Sequence, residues 1–130
     1  TLFPYTTLFR SRFEEIEAWQ LARELTNMVY GFVRREPFSR DFGLKDQICR
    51  ASVSVMSNIA EGFERNSTLE FRRFISIAQG SSSEVKSMIY LAFRLNYINS
   101  KQRDKLILDS NEVSKILNGL FKSIHAKATK

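Results

Sequence analysis

Between positions 47 and 84 the chain reads QICRASVSVMSNIAEGFERNSTLEFRRFISIAQGSSSE, two helical patterns folded back on each other about a turn at Asn66 and Ser67. Ser67-Thr68-Leu69-Glu70 has the spacing in which a serine accepts from the N3 amide and the glutamate reaches back, so a helix starts there. Before the turn, Leu44, Ile48, Ala51 or Ser52, Val55, Ile59 and Phe63 recur at steps of three and four, with Cys49, Val53, Met56 and Ala60 widening the stripe. After it, Phe71, Ile75, Ala78, Ser82, Val85, Ile89 and Ala92 alternate steps of four and three, the seam of a bundle helix. Ala51, Ser52, Ser54, Ala60 and Gly62 on one side, and Ala78, Gly80, Ser81, Ser82 and Ser83 on the other, allow two backbones to approach closely. Two seams of this length require partner helices.

The flanking sequence supplies them. A first helix is expected to start at Glu14 or Glu15 and end at Arg35, with acids at its start and arginines at its end matching the macrodipole. Its stripe is Ile16, Trp19, Ala22, Leu25, Val29 and Phe32. Pro37 follows, and Ser39 is the candidate cap of the helix that runs to about Arg65. Asn96 to Ser100 reads as a second turn, with Tyr97 and Ile98 packing across it and Asn99 or Ser100 capping the last helix. That helix buries Leu106, Val113, Leu117, Leu120 and Ile124 and frays beyond Ile124. Gly119 within it is either a close-contact point or a weak spot costing about 1 kcal/mol relative to alanine. The expected fold is an all-α, up-down-up-down antiparallel four-helix bundle.

Residues 1–11, TLFPYTTLFRS, fit neither period and resemble the translation of a sequencing-adapter oligonucleotide, which reads as a non-native arm. The competing reading is an apolar arm that docks on a neighbour through Leu2, Phe3, Tyr5, Leu8 and Phe9. Residues 12–127 then form one domain, a size that supports a real core, and residues 128–130 a frayed tail.

Charge narrows the partners only coarsely. Lysine and arginine number 20 against 14 acids, giving +6 and a pI near 9.7, which favours a polyanion. The basic residues are spread along the chain, so a solvated surface competes with that reading. No run of about 18 apolar residues is present, so no membrane span is expected. The single cysteine, Cys49, rules out an internal disulfide framework and fits a cytoplasmic setting.

No catalytic set is present in the sequence. The one histidine, His125, lies in the expected fray, and Cys49 reads as a small core residue rather than a nucleophile. The spacing of a di-iron bundle site does not occur, and neither metal nor cofactor is expected. Gly80 lacks the surrounding pattern of a phosphate loop and reads as a helix-packing residue. Phe71, Phe74 and Phe93 sit at core spacing and are not interleaved with bases as stacking platforms would be. A polar stripe of Gln47, Arg50, Ser54, Asn58, Glu61 and Arg65 is less easily assigned. Serine and asparagine are mediocre helix formers for a merely solvated face, so the stripe reads as a polar contact surface within the bundle or between subunits.

Trp19-Gln20 with Ala22, then Gly43-Leu44, Gln47, Arg50-Ala51, Ser54 and Ser57-Asn58-Ile59-Ala60-Glu61-Gly62, resemble the bacterial four-helix-bundle proteins called 23S rRNA intervening-sequence proteins. Arg65, Phe74, Ile77-Ala78, Gly80-Ser81 and Glu84 extend the match, which runs roughly from Phe13 to Ile124. Leu21, Cys49 and Met56 depart from the pattern. That family is similar in fold to the accessory variability determinant proteins of diversity-generating retroelements, basic homopentameric barrels that contact nucleic acid and a reverse transcriptase. The resemblance implies a homo-oligomer, most naturally a pentamer, with RNA or DNA as partner.

The functional expectation is a non-enzymatic module that contacts phosphates through Arg65, Arg72, Arg73, Lys86, Arg94, Lys122 and Lys127. The alternative is a scaffold for a protein partner with no direct nucleic-acid role. Turn geometry adds a register: facing residues should have numbers summing to 133 or 134. That sets Arg50 beside Glu84 as a partly buried pair, Glu61 beside Arg72 or Arg73, and Gly80 and Ser81 against Val53 and Ser54.

Overall fold

The computed structural model describes residue 13 and residues 16–128, with side chains as far as 124. Expectations for residues 1–11 and for the side chains of His125 and Lys127 lie outside the described residues. The elements are α1 (Glu17–Val33), a 3-10 turn (Phe38–Arg40), α2 (Phe42–Glu64), α3 (Thr68–Arg94) and α4 (Ser100–Ala128). The described residues form four helices and no strand. α2 packs on α3, α3 on α4, and α1 on both α2 and α4, which closes the four into a bundle around one core.

Periodicity accounts for that core. Ala22, Leu25 and Val29 of α1, Ile48, Val55 and Ile59 of α2, Ile75, Val85 and Ile89 of α3, and Val113, Leu117 and Ile124 of α4 are buried. Each helix also buries one hydroxyl residue: Thr26, Ser52, Ser82 and Ser110. Thr26 Oγ1 donates to the Ala22 carbonyl at 2.8 Å and lies 3.1 Å from the Ser52 carbonyl, so one hydroxyl joins α1 to α2. Ser82 and Ser114 share a hydrogen bond of 3.0 Å between α3 and α4. Ser110 Oγ has no partner among the described groups.

The turns follow their residues closely. Asn66 adopts φ 61° and Asn96 φ 65°, the left-handed conformation that asparagine tolerates better than most side chains. Ser67 Oγ accepts from the Glu70 amide at 3.3 Å, as its spacing predicts. The glutamate does not complete the box; its carboxylate lies 3.7 Å from Arg73 Nε. A full reciprocal box forms instead at α4, where Asn99 Oδ1 accepts from the Gln102 amide and Gln102 Oε1 from the Asn99 amide, both at 2.8 Å.

Several expectations are corrected. Ser39 lies inside the 3-10 turn, so Asp41 caps α2, accepting from the Leu44 amide at 3.0 Å. Trp19, Phe32 and Leu120 are only half-buried, because each sits at the edge of its stripe, and Val53 is 39% exposed on the outer side of α2. α1 stops at Val33, and α4 continues past Ile124 to Ala128 through residues that favour helix. Gly80 is exposed, and a Cβ built there meets nothing, so it is not a packing residue. The close approach is at Gly62, where a Cβ would lie 2.6 Å from the Cβ of Phe74.

Candidate functional site

Two long seams carry the residues singled out in the sequence, and they differ in charge. Along the α2–α3 seam the contacts fall in number on α2 as they rise on α3: Gly62 against Phe71 and Phe74, then Ser54 Oγ to Ser81 Oγ at 2.8 Å. Asn58 Nδ2 donates to the Ser54 carbonyl at 2.8 Å and approaches Ser54 Oγ at 3.0 Å. The middle of the polar stripe is thus a hydrogen-bonded strip joining two helices, half-buried at Ser54, Asn58 and Ser81.

The ends of the stripe behave differently. Gln47, Arg50, Ser54, Ser81 and Glu84 border one open groove of about 370 Å³. Arg50 and Glu84 thus share a groove, as the register predicts, but no ion pair joins them and both are exposed. The partly buried pair is therefore corrected: at the groove's rim each charged head is better solvated than paired. At the other end Glu61 pairs with Arg65 at 2.9 Å, one helical turn away, and not with Arg72 or Arg73. Arg65 and Arg73 both lie over the Phe74 ring, 5.1 and 5.0 Å from its centroid. Each of these two arginines, with Glu61 and Glu70 beside it, already has a carboxylate neighbour.

The α3–α4 seam is built from the opposite side of α3. Gln79, Ser83, Ser114, Lys115 and Asn118 line a groove of about 470 Å³. Arg72 lies over the Phe121 ring at 5.7 Å, and Arg103 over Phe93 at 4.2 Å. Lys86 and Arg94 follow Gln79 and Ser83 at helical steps, and Lys122 adjoins Phe121. Lys86, Arg94, Lys115 and Lys122 take part in none of the ion pairs among the described residues. Arg103 is bonded to Asp104 at 2.9 Å. The α3 acids turn away: Glu84 borders the α2–α3 groove, and Glu70 lies beside Arg73. Of the seven expected phosphate contacts, Arg72, Lys86, Arg94 and Lys122 therefore share one seam, Arg65 and Arg73 lie on the other, and the Lys127 side chain is outside the described residues. Lys115 and Arg103 were missed, because only the packing of α4 on α3 shows that Lys115 borders the groove and that Arg103 lies over Phe93.

Acid–base chemistry is sparsely furnished. Burial pushes the Cys49 thiol up, although a hydrogen bond from Tyr30 opposes this, so the sulfur is held away from the nucleophilic thiolate. The Asp41 carboxyl lies below the ordinary range because the Leu44 amide and then the Tyr97 hydroxyl donate to it, the latter at 2.8 Å. This bond ties the α1–α2 connection to the α3–α4 turn, with the Phe38 and Tyr97 rings 5.1 Å apart beside it. No group of three His, Cys, Asp or Glu among the described residues is placed to hold a metal. No described helix is long and apolar enough to cross a membrane.

Comparison with known proteins gives a consistent result. No curated protein matches the chain. The crystal structure of a protein of unknown function from the S23 ribosomal protein family of Bacteroides thetaiotaomicron superposes with a TM-score of 0.74 at 26% identity, covering 81% of this chain and 98% of that one. A family model described as 23S rRNA-intervening sequence protein matches residues 14–119, and the chain belongs to that family.

Proposed function

We propose that the protein is a non-enzymatic helical-bundle module of the cytoplasm that associates with RNA or DNA through phosphate contacts from basic side chains. The observation that carries this reading is the imbalance of the α3–α4 seam. Lys86, Arg94, Lys115 and Lys122 lie along or beside it without an ion-pair partner among the described residues, whereas Arg65 and Arg73 on the other seam have carboxylates beside them. Unpaired cations on a rigid element are the groups that release counterions when they meet phosphates. The test is a mobility-shift titration of an arbitrary RNA across salt concentrations. Binding that weakens steeply with salt supports the reading, and no binding at low salt ends it.

The same proposal includes assembly. The bundle is read as up-down-up-down and antiparallel, from its short connections and the falling and rising contact numbers of α2 and α3, and as the subunit of a homopentamer. Exposed Ile77 and Leu91 on the outer side of α3, beside Arg50 and Glu84, which are in no ion pair among the described residues, suit contact with a second copy. Light scattering decides the matter: a monomer at micromolar concentration, with residues 1–11 removed, ends this part of the reading.

A further inference from the structure

We infer that the α3–α4 seam is a track for the backbone of a nucleic-acid duplex, bound by shape and charge and not by base stacking. The inference rests on the nucleic-acid reading above and adds the face and the form of the ligand. Three observations carry it: the length of the track, its charge and the state of its aromatic rings.

Arg72, Gln79, Ser83, Lys86 and Arg94 share one side of α3 by helical spacing, the side that meets α4 through Ser114, Lys115, Asn118 and Phe121. From Arg72 to Arg94 the helix rises about 33 Å at 1.5 Å per residue, close to one turn of a duplex. Cations stand at both ends, with Arg72 and Lys122 at one and Arg94 at the other, and Lys86 and Lys115 lie between. The floor consists of amides and hydroxyls, Gln79, Ser83, Ser114 and Asn118, which donate to phosphate or sugar oxygens without reading sequence.

The α3 acids are kept off this side: Glu84 borders the α2–α3 groove and Glu70 lies beside Arg73. On α4, Glu112 and Asp109 lie about 200° and 220° around the helix from Ser114, Asp109 beside Lys105, while Asp104, at the Arg94 end, is paired with Arg103. The seam therefore carries a net positive charge.

The rings exclude the single-strand mode. Non-specific single-strand binders present aromatic side chains on which successive bases stack. Here Phe93 is capped by Arg103 and Phe121 by Arg72, and both are half-buried. Tyr90, 46% exposed, is the only exposed ring on α3 and α4 among the described side chains. One ring, on the seam face between Lys86 and Arg94, is no platform for successive bases of a strand.

The experiment uses fluorescence anisotropy with the full chain and three labelled probes. These are an RNA duplex of about 20 base pairs, roughly two helical turns, a DNA duplex of the same sequence, and one of the single strands. At low salt a duplex, RNA or DNA, should bind at least tenfold more tightly than the single strand. Lys86→Gln with Lys115→Gln should weaken duplex binding about tenfold and reduce the log–log salt slope by about 1.8, the loss of two phosphate contacts. Arg65→Gln with Arg73→Gln, an equal change in charge on the other seam, should stay within about twofold of the parent, as should Tyr90→Ala. Circular dichroism establishes that each variant is folded. Tighter binding of the single strand overturns the inference, as does equal loss in the two double variants or a large loss in Tyr90→Ala. If the parent binds none of the probes, the nucleic-acid reading itself fails; if it binds but ignores the seam variants, only the present inference does.

Discussion

Three glycines in helical positions of this chain should respond to the same substitution with opposite signs, and Gly62 is the decisive one. A Cβ there would lie 2.6 Å from Phe74 Cβ, 3.1 Å from Phe71 Cδ1 and 3.4 Å from the Phe71 carbonyl oxygen. Carbon pairs rest at about 3.5–4.0 Å, so the first contact is short by roughly 1 Å. The Phe71 ring can swing aside, but Phe74 Cβ moves only if the α3 backbone moves. Gly62→Ala therefore belongs at the upper end of overpacking costs, about 3 kcal/mol, offset by about 1 kcal/mol of helix propensity. The expected net loss is about 2 kcal/mol. Gly119 and Gly80 meet nothing within 4 Å, so Gly119→Ala and Gly80→Ala keep the propensity gain and stabilise by about 1 kcal/mol. In urea melts followed by circular dichroism, with an m-value of about 2 kcal/mol per molar, the Gly62→Ala midpoint falls by about 1 M while the Gly119→Ala midpoint rises by about 0.5 M. Light scattering at the same concentration separates any change in assembly at Gly80. A Gly62→Ala protein as stable as the parent would refute the claim that this glycine sets the α2–α3 distance.

Two further outcomes follow from the polar groups. The depressed Asp41 carboxyl contributes stability that is present above its unfolded value, near ~4, and is lost as pH falls through the lower folded value. The Tyr97 hydroxyl is raised, first by its bond to Asp41, so its contribution holds below about 10 and is lost as pH rises through the higher folded value. Asp41→Asn should therefore melt below the parent at neutral pH, with the gap closing in acid; a gap that stays constant across the acid range contradicts this assignment. Ser110→Ala removes a buried hydroxyl that has no partner among the described groups and should stabilise by about 1 kcal/mol, whereas Ser82→Ala strands Ser114 and should cost about as much. Reversed signs in the same urea melts would contradict the hydrogen-bond assignments.

The sequence was most informative where one residue's own chemistry decides the outcome. The four helices, the turn at Asn66 and Ser67, the Ser67 cap and the buried faces of α3 and α4 are visible as spacing, because burial period and cap geometry are local. Trp19, Phe32 and Val53 misled because an apolar residue at the edge of a stripe reads the same whether the neighbouring helix covers it or not. Gly80 misled for the same reason: Gly62 and Gly80 read alike in the sequence, and only the position of α3 shows that Phe74 crowds Gly62 and nothing crowds Gly80. The candidate site divides along this line too. That Arg65 and Arg73 have carboxylate neighbours was readable, since Glu61 stands four residues before one and Glu70 three before the other. That Arg72 belongs on another face than Arg73 was not, because a shift of one residue turns a side chain about 100° and its value depends on which helix lies there. With α4 on that side, Arg72 covers Phe121 and joins Lys86 and Lys115 along one seam, while its neighbour Arg73 remains beside Glu70. A basic chain without a basic tract thus acquires a basic face only by packing, and this is why composition alone pointed to a polyanion and could not say where it would bind.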